Sequence, residues 1–259
     1  MSEMISKKSY AKVNVFLKIS GKRGDYHEII SRFVKVQNLY DTISFEKGNF
    51  NEFTLEGDFG CETKKNTIFK AYEELYSMYE NLREIFMNYK VVVQKRIPEF
   101  AGLGGGSSNA AVFMIMLNEM VNLNLSKDEL ANIGVKIGAD VPFFIYEYDS
   151  ANVTGIGEKV EKFDEDVLDI QTFTPKIECN TKAIFTEFRK NFYKEISEDD
   201  SKKLLSTKSK ELFQNINSKE ANDLYEPALS IYEDLMPENF NLPKHSFFSG
   251  SGSSFFYIK

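Results

Sequence analysis

GLGGGSSNAA, Gly102 to Ala111, stands between a β-branched run, Val91 to Val93, and a stretch with helical periodicity. Glycines this dense are costly in chain entropy unless something uses the open backbone. They let backbone amides approach a ligand, and the first turn of the next helix adds unpaired N–H groups and a positive dipole end. The stretch therefore predicts a phosphate cradle. Two familiar phosphate loops are excluded: a Walker A loop needs Lys and then Ser or Thr after its last glycine, where this chain has Ser107, Ser108 and Asn109. A dinucleotide fingerprint needs glycine at position 107. Ser107 and Ser108 are expected to cap the helix and to offer hydroxyls to phosphate oxygens or Mg²⁺. A flexible connection with a serine cap is the plain alternative.

After the loop, Ala110, Phe113, Met114, Leu117 and Val121 predict a helix with one apolar stripe packed on a sheet. Ser126 and Glu129 have the spacing of a capping box, and Gly138 is placed to end that second helix. Gly138 to Phe144 then sets Asp140 in a tight turn before an aromatic strand. Before the loop, alternation predicts strands over 10–19 and 28–37, and periodicity predicts one helix over 66–89. From Ala151 the pattern restarts, with strands near 151–162 and 170–178, helices near 182–193, 198–215 and 221–236, and a final pair of aromatic strands. This suggests two domains, 1–155 and 156–259.

Composition narrows the class. The 259 residues are 42% hydrophobic and 27% charged, with no run of apolar residues long enough to span a membrane. The opening MSEMISKKSYAKVNVFLKIS lacks an unbroken apolar core, so a cytoplasmic protein is expected. A net charge of −7 argues against a nucleic-acid surface. Cys61 and Cys179 suit neither a disulfide framework nor a zinc site and are expected to be buried thiols.

The run Lys95 to Ala101 followed by GLGGGSSNAA resembles the second motif of the galactokinase, homoserine kinase, mevalonate kinase and phosphomevalonate kinase superfamily. YAKVNVFLKISGKRGDYHEI, NTIFKAYEEL, IGADVPFF, TGIGE, NTKAIF, NDLYEPA and FFSGSGSSFF extend the resemblance across nearly the whole chain, in order. GKR with DYHE and NDL with EPA point to its 4-diphosphocytidyl-2-C-methyl-D-erythritol kinase branch. Asp25 meets Tyr26 directly, where that branch usually inserts a glycine.

The resemblance implies an α+β kinase of two domains: an N-terminal ribosomal-protein-S5-domain-2-like nucleotide domain and a C-terminal ferredoxin-like domain. It implies ATP and Mg²⁺, a small cytidyl diphosphate acceptor, no nucleic acid or membrane partner, and a monomer or homodimer. Phosphoryl transfer asks mainly for positioning and charge neutralisation. By this likeness, ATP lies against Lys95, Pro98, Gly102, Leu103, Gly104, Gly105, Gly106, Ser107, Ser108 and Asn109, with Asn66 and Thr67 bordering adenine and Ser108 reaching the metal. Asp140 is the expected base or orienter, beside Lys12, whose ammonium holds it ionised. Tyr26, His27 and Phe185 are the expected nucleobase pocket, and Asn14 and Thr181 lie at the methylerythritol end. Ser249 to Ser254 is either a hairpin turn or a second brace for the phosphates. Another small-molecule kinase of the superfamily, of mevalonate or homoserine type, and a non-catalytic RNA-binding protein sharing the fold remain open alternatives.

Overall fold

The structure is a computed structural model and describes residues 5–259; Met1 to Met4, which open the first expected domain, lie outside them. The chain separates into two compact units, each built from several segments. The first unit comprises the segment through Ala11, Leu39–Ile97 and Gly105–Glu147; the second comprises Lys12–Asn38, Pro98–Gly104 and Tyr148–Lys259. Against the single crossing expected near 155, the chain crosses repeatedly, because two long strands, β1 (Ile5–Arg23) and β2 (Tyr26–Lys47), give one end to each unit.

In the first unit, β3 (Leu55–Gly57) lies parallel to β4 (Tyr89–Gln94), which pairs antiparallel with the far end of β2, Ile43 opposite Val93. Helices α1 (Thr67–Tyr76), α2 (Leu82–Asn88), α3 (Gly105–Met120), α4 (Lys127–Ile137) and α5 (Val141–Tyr146) complete it. The single helix expected over 66–89 is two. A straight helix would carry Phe86 about 21 Å from Tyr72. The break at 77–81 instead folds Phe86 back to 5.3 Å from Tyr72, ring to ring, and against Phe45, Phe53 and Phe113.

Helix α3 is not the one-striped helix expected. Ser108 to Leu117 are all buried, and α1, α4 and α5 pack against it, so it runs through the middle of its unit. The capping box on α4 forms as read: Ser126 accepts from the Glu129 amide, and the Glu129 carboxylate accepts from the Ser126 amide. The aromatic stretch after Asp140 is helix α5 rather than a strand. Pro142 sits in its first turn, where its missing N–H costs nothing, and Val141, Phe143, Phe144 and Ile145 bury themselves against α3 and α4.

In the second unit, β5 (Ser150–Gly155) pairs antiparallel with the near end of β2, and β6 (Lys159–Lys162) pairs with β5. A separate three-stranded sheet runs β7 (Ile170–Phe173), β9 (Phe255–Ile258), β8 (Phe247–Phe248). Its helices are α6 (Thr181–Glu187), which continues as a π-turn over Phe188–Phe192, α7 (Glu198–Ser206), α8 (Ser209–Asn215), α9 (Ser218–Ala221) and α10 (Tyr225–Ile231). The core gathers Leu17, Ile19, Ile184, Phe188, Phe248 and Phe255.

One buried cation in this unit had no sequence expectation. Arg32 is fully buried and donates to the carbonyls of Leu204, Leu205 and Thr207 at the end of α7, and to Asn152 Oδ1 at 2.9 Å. Its guanidinium lies 3.4 Å from the Phe163 ring centroid. Cys179 is buried, and burial pushes its thiol up to about 11; Cys61 is exposed, contrary to expectation. Among the described residues, no helix is long and apolar enough to cross a membrane.

Candidate functional site

In the first unit the glycine stretch becomes the start of α3. Gly105 and Gly106 open the helix, so Ser107 and Ser108 lie inside its first turn rather than capping it. The N-terminus of α1 is tied to the same place: Thr67 Oγ1 donates to the Gly106 carbonyl at 2.6 Å, and Asn66 accepts the Ile68 amide as the cap of α1. Two helix N-termini therefore adjoin, each with a positive dipole end. Ser107 is half-buried, its hydroxyl 3.5 Å from where a side chain on Gly138 would begin, so the turn carrying Asp140 adjoins that first turn. Asp140 is the N-cap residue of α5, yet its carboxylate makes no capping bond.

Beneath the helix start lies a network that the sequence reading missed. Asp41 is fully buried and accepts four hydrogen bonds: Arg96 N at 2.6 Å, Ile97 N at 2.8 Å, Lys95 Nζ at 2.5 Å and Asn109 Nδ2 at 2.9 Å. Asn109 also donates to Ser9 Oγ, and Ser9 donates to Ser108 Oγ at 2.7 Å. Lys95 and Asn109, expected at the nucleotide, thus belong to a buried scaffold that fixes the strand leading to the loop and the turn leaving it. Ser108 is likewise fully buried.

The second unit holds the preceding residues of the loop. Lys12 is only 4% exposed; its Nζ donates to Asn14 Oδ1 at 2.7 Å and to the Gly102 carbonyl at 3.2 Å, and lies over the Phe33 ring. Its backbone amide donates to the Leu103 carbonyl, so Leu103 serves through its backbone while its side chain is buried. Asn14, itself buried, donates to Ser31 Oγ at 2.9 Å. Pro98 opens this segment, half-buried.

Ser249 to Ser254 is more than a turn: Ser249 Oγ donates to the Gly102 carbonyl, and the Ser254 amide donates to Ala101. Asn222, also missed, donates to the Phe248 and Gly250 carbonyls and so fixes that brace. Thr181 pairs its hydroxyl with Ser251. Gly102 has a φ of +72°, and a Cβ there would stand 2.2 Å from the Ser249 carbonyl oxygen; Gly104 has a φ of +70°. Gly102→Ala should cost about 1–3 kcal/mol in backbone strain and displace the loop. Where that strain falls on the bound loop, ATP affinity should drop about 5-fold to 150-fold by the corresponding arithmetic. Calorimetric titration of the folded variant checks this, and unchanged nucleotide affinity would count against the cradle.

The expected nucleobase residues divide. Tyr26 is 64% exposed at the first hairpin. His27 is buried, with Phe185 stacked on it at 5.2 Å and 25°. Arg189, unforeseen, donates to His27 Nε2 at 3.3 Å. Burial first, then the Arg189 and Lys22 charges, hold His27 below the usual imidazole range.

Residues 66–148 match the N-terminal domain of GHMP kinases. A 4-diphosphocytidyl-2-C-methyl-D-erythritol kinase of Sulfurimonas denitrificans is 49% identical over 97% of this chain and 96% of its own length. The enzyme of that description from a Sulfurovum species is 46% identical over 99% and 100%. Among solved structures, a crystal structure of 4-(cytidine 5'-diphospho)-2C-methyl-D-erythritol kinase aligns with a TM-score of 0.75 at 25% identity, covering 98% of this chain and 90% of that one. A Methanococcus jannaschii mevalonate kinase aligns at 0.59 and 17% identity over 99% and 91%, a likeness of fold. With the α+β architecture, the glycine loop and full-length relatives in agreement, the chain belongs to the 4-diphosphocytidyl-2-C-methyl-D-erythritol kinase family of GHMP kinases.

Proposed function

We propose that this protein transfers the γ-phosphoryl group of ATP to the 2-hydroxyl of 4-diphosphocytidyl-2-C-methyl-D-erythritol, a step of the non-mevalonate route to isoprenoid precursors. The observation that carries this reading is Lys12: an ammonium 4% exposed and hydrogen-bonded to the glycine-loop carbonyl of Gly102. A buried cation held against a phosphate loop is what a transition state with charge on the γ-phosphoryl oxygens requires. The hydroxyl oxygen of the acceptor bonds to the γ-phosphorus, the bond to the β–γ bridging oxygen breaks, and ADP leaves. Asp140 orients the hydroxyl and takes its proton. The amides at Gly105 and Gly106, with the helix dipole behind them, hold the phosphates.

Mg²⁺ would neutralise phosphate charge when bound. Ser108 does not fit as its ligand, because its hydroxyl is buried and engaged by Ser9. Ser107, half-buried in the same turn, fits better, and phosphate oxygens and water are the usual remaining partners of this ion.

An ADP-release assay with four acceptors tests the reading. ADP should form with the cytidyl acceptor and stay at background with mevalonate, homoserine or no acceptor. Turnover with mevalonate or homoserine alone would move the protein to another branch of the superfamily. No turnover with any acceptor, together with retention of RNA, would leave the non-catalytic reading.

A further inference from the structure

β1 and β2 are joined by a two-residue turn, Gly24–Asp25, with a φ of +57° at Gly24, the position where a II′ hairpin turn takes glycine. Asp25 runs directly into Tyr26 here, and the short turn is held from outside. Arg189 Nη2 donates to the carbonyls of Gly24 and Tyr26, both at 3.3 Å, while its Nε donates to His27 Nε2. Arg189 lies in the π-turn that continues α6, four residues beyond Phe185, and Phe185 stacks on the His27 ring. One guanidinium thus binds the turn, the imidazole and the helix that carries the stacking ring.

A guanidinium has donors only and stays charged in proteins. A ring nitrogen that receives its N–H must offer a lone pair. The proton of a neutral imidazole then has one place left, Nδ1. We propose that Arg189 is a positioning residue that sets the His27 tautomer, fixing the proton on Nδ1 so that the ring presents an N–H donor to the base edge of the acceptor substrate. This rests on the proposed cytidyl acceptor and on Tyr26, His27 and Phe185 receiving its base. Cytosine offers acceptors at N3 and O2, whereas uracil carries a hydrogen on N3, which would oppose the donor. Since O2 is shared by both bases, it is a donor aimed at N3 that selects cytidyl over uridyl acceptors. His27 stays neutral for this role because burial and the Arg189 and Lys22 charges disfavour its protonated form.

Two measurements on the full chain test the proposal. The first is long-range ¹H–¹⁵N correlation NMR of the imidazole rings at pH 8, tractable because His27 and His245 are the two histidines, and His245→Gln assigns them. His27 should show a protonated Nδ1 and a lone-pair Nε2; in Arg189→Met the proton should redistribute toward Nε2. A protonated Nε2 in the unmodified protein overturns the proposal without recourse to any variant. So does an unchanged tautomer in folded Arg189→Met.

The second is the ratio of kcat/KM for the cytidyl acceptor to that for its uridyl analogue. It should be about 100 or more, in line with sites that leave a buried polar group unpaired on the wrong ligand, and should fall at least about tenfold in Arg189→Met. KM for ATP should not move, a split that a general loss of structure would not give. A tautomer as proposed with a ratio unaffected by Arg189→Met overturns the selection of the base. A tautomer as proposed with no turnover of the cytidyl acceptor overturns the proposed function and leaves the imidazole assignment standing.

Discussion

Asp140→Asn should lower turnover about 100-fold or more while both ligands still bind, the loss typical of a positioned general base. The substitution keeps size and shape. Asp140 has ordinary right-handed backbone geometry, φ −81°, and its carboxylate does not cap α5, so the amide costs no helix cap. The amide can still accept a hydrogen bond from the acceptor hydroxyl but cannot take its proton. Phosphoryl transfer can be dissociative, with proton removal late; a fall of only about tenfold would mark Asp140 as an orienter. Lys12→Met should show a comparable defect, and the double variant should lose less than the two losses combined if both act as one unit. Steady-state kinetics of the three variants decide the matter. Near-normal turnover of Asp140→Asn would remove that residue from the mechanism.

Asp41→Ala should destabilise the protein by on the order of 3–5 kcal/mol, the cost of breaking a buried ion pair from one side. Lys95, whose side chain is 10% exposed, would lose its carboxylate, and the amides of Arg96 and Ile97 would lose their acceptor. Asp41→Asn keeps an acceptor oxygen and should cost less, about 1–3 kcal/mol. Adding Lys95→Met to Asp41→Ala should recover part of the loss, because it removes the orphaned charge. Urea unfolding followed by circular dichroism reads all three. A change below about 1 kcal/mol in Asp41→Ala would show that water replaces the carboxylate and that the network is dispensable.

Features encoded locally were readable in the sequence. The order of glycine loop and then helix, and the Ser126–Glu129 capping box, depend on neighbours a few positions away; the box forms as read, and a helix follows the loop although its cap and burial differ. The break between α1 and α2 was not readable, because its cause is the need of Phe86 to reach rings contributed by distant segments. VPFFIY was misread as a strand since a six-residue apolar run carries no period that separates strand from helix.

Asp41 did leave a signal. It alternates with Ile43 and Phe45 on the buried face of β2, and a carboxylate on a core face must have partners. Arg189 left none, since its reach to His27 depends on a π-turn that periodicity does not reveal. Lys95 and Asn109, which the resemblance implied lie against ATP, both donate to the buried Asp41, a partnership that the motif alone does not reveal.

Arg32 sets an unusual rule for what α7 can become. That helix buries none of its side chains, and the contacts described above grip it by backbone oxygens at its end. Every residue type carries the same carbonyl, so the exposed positions of α7 are free to drift in sequence without loosening the attachment. Its length is not free. One residue inserted or deleted before Ser206 would rotate the last turn by about 100° and swing the carbonyls off the guanidinium. Lysine at position 32 would offer no planar fork to hold several oxygens together. Libraries that randomise the outer face of α7 should therefore yield many folded members, whereas libraries that vary its length should yield few.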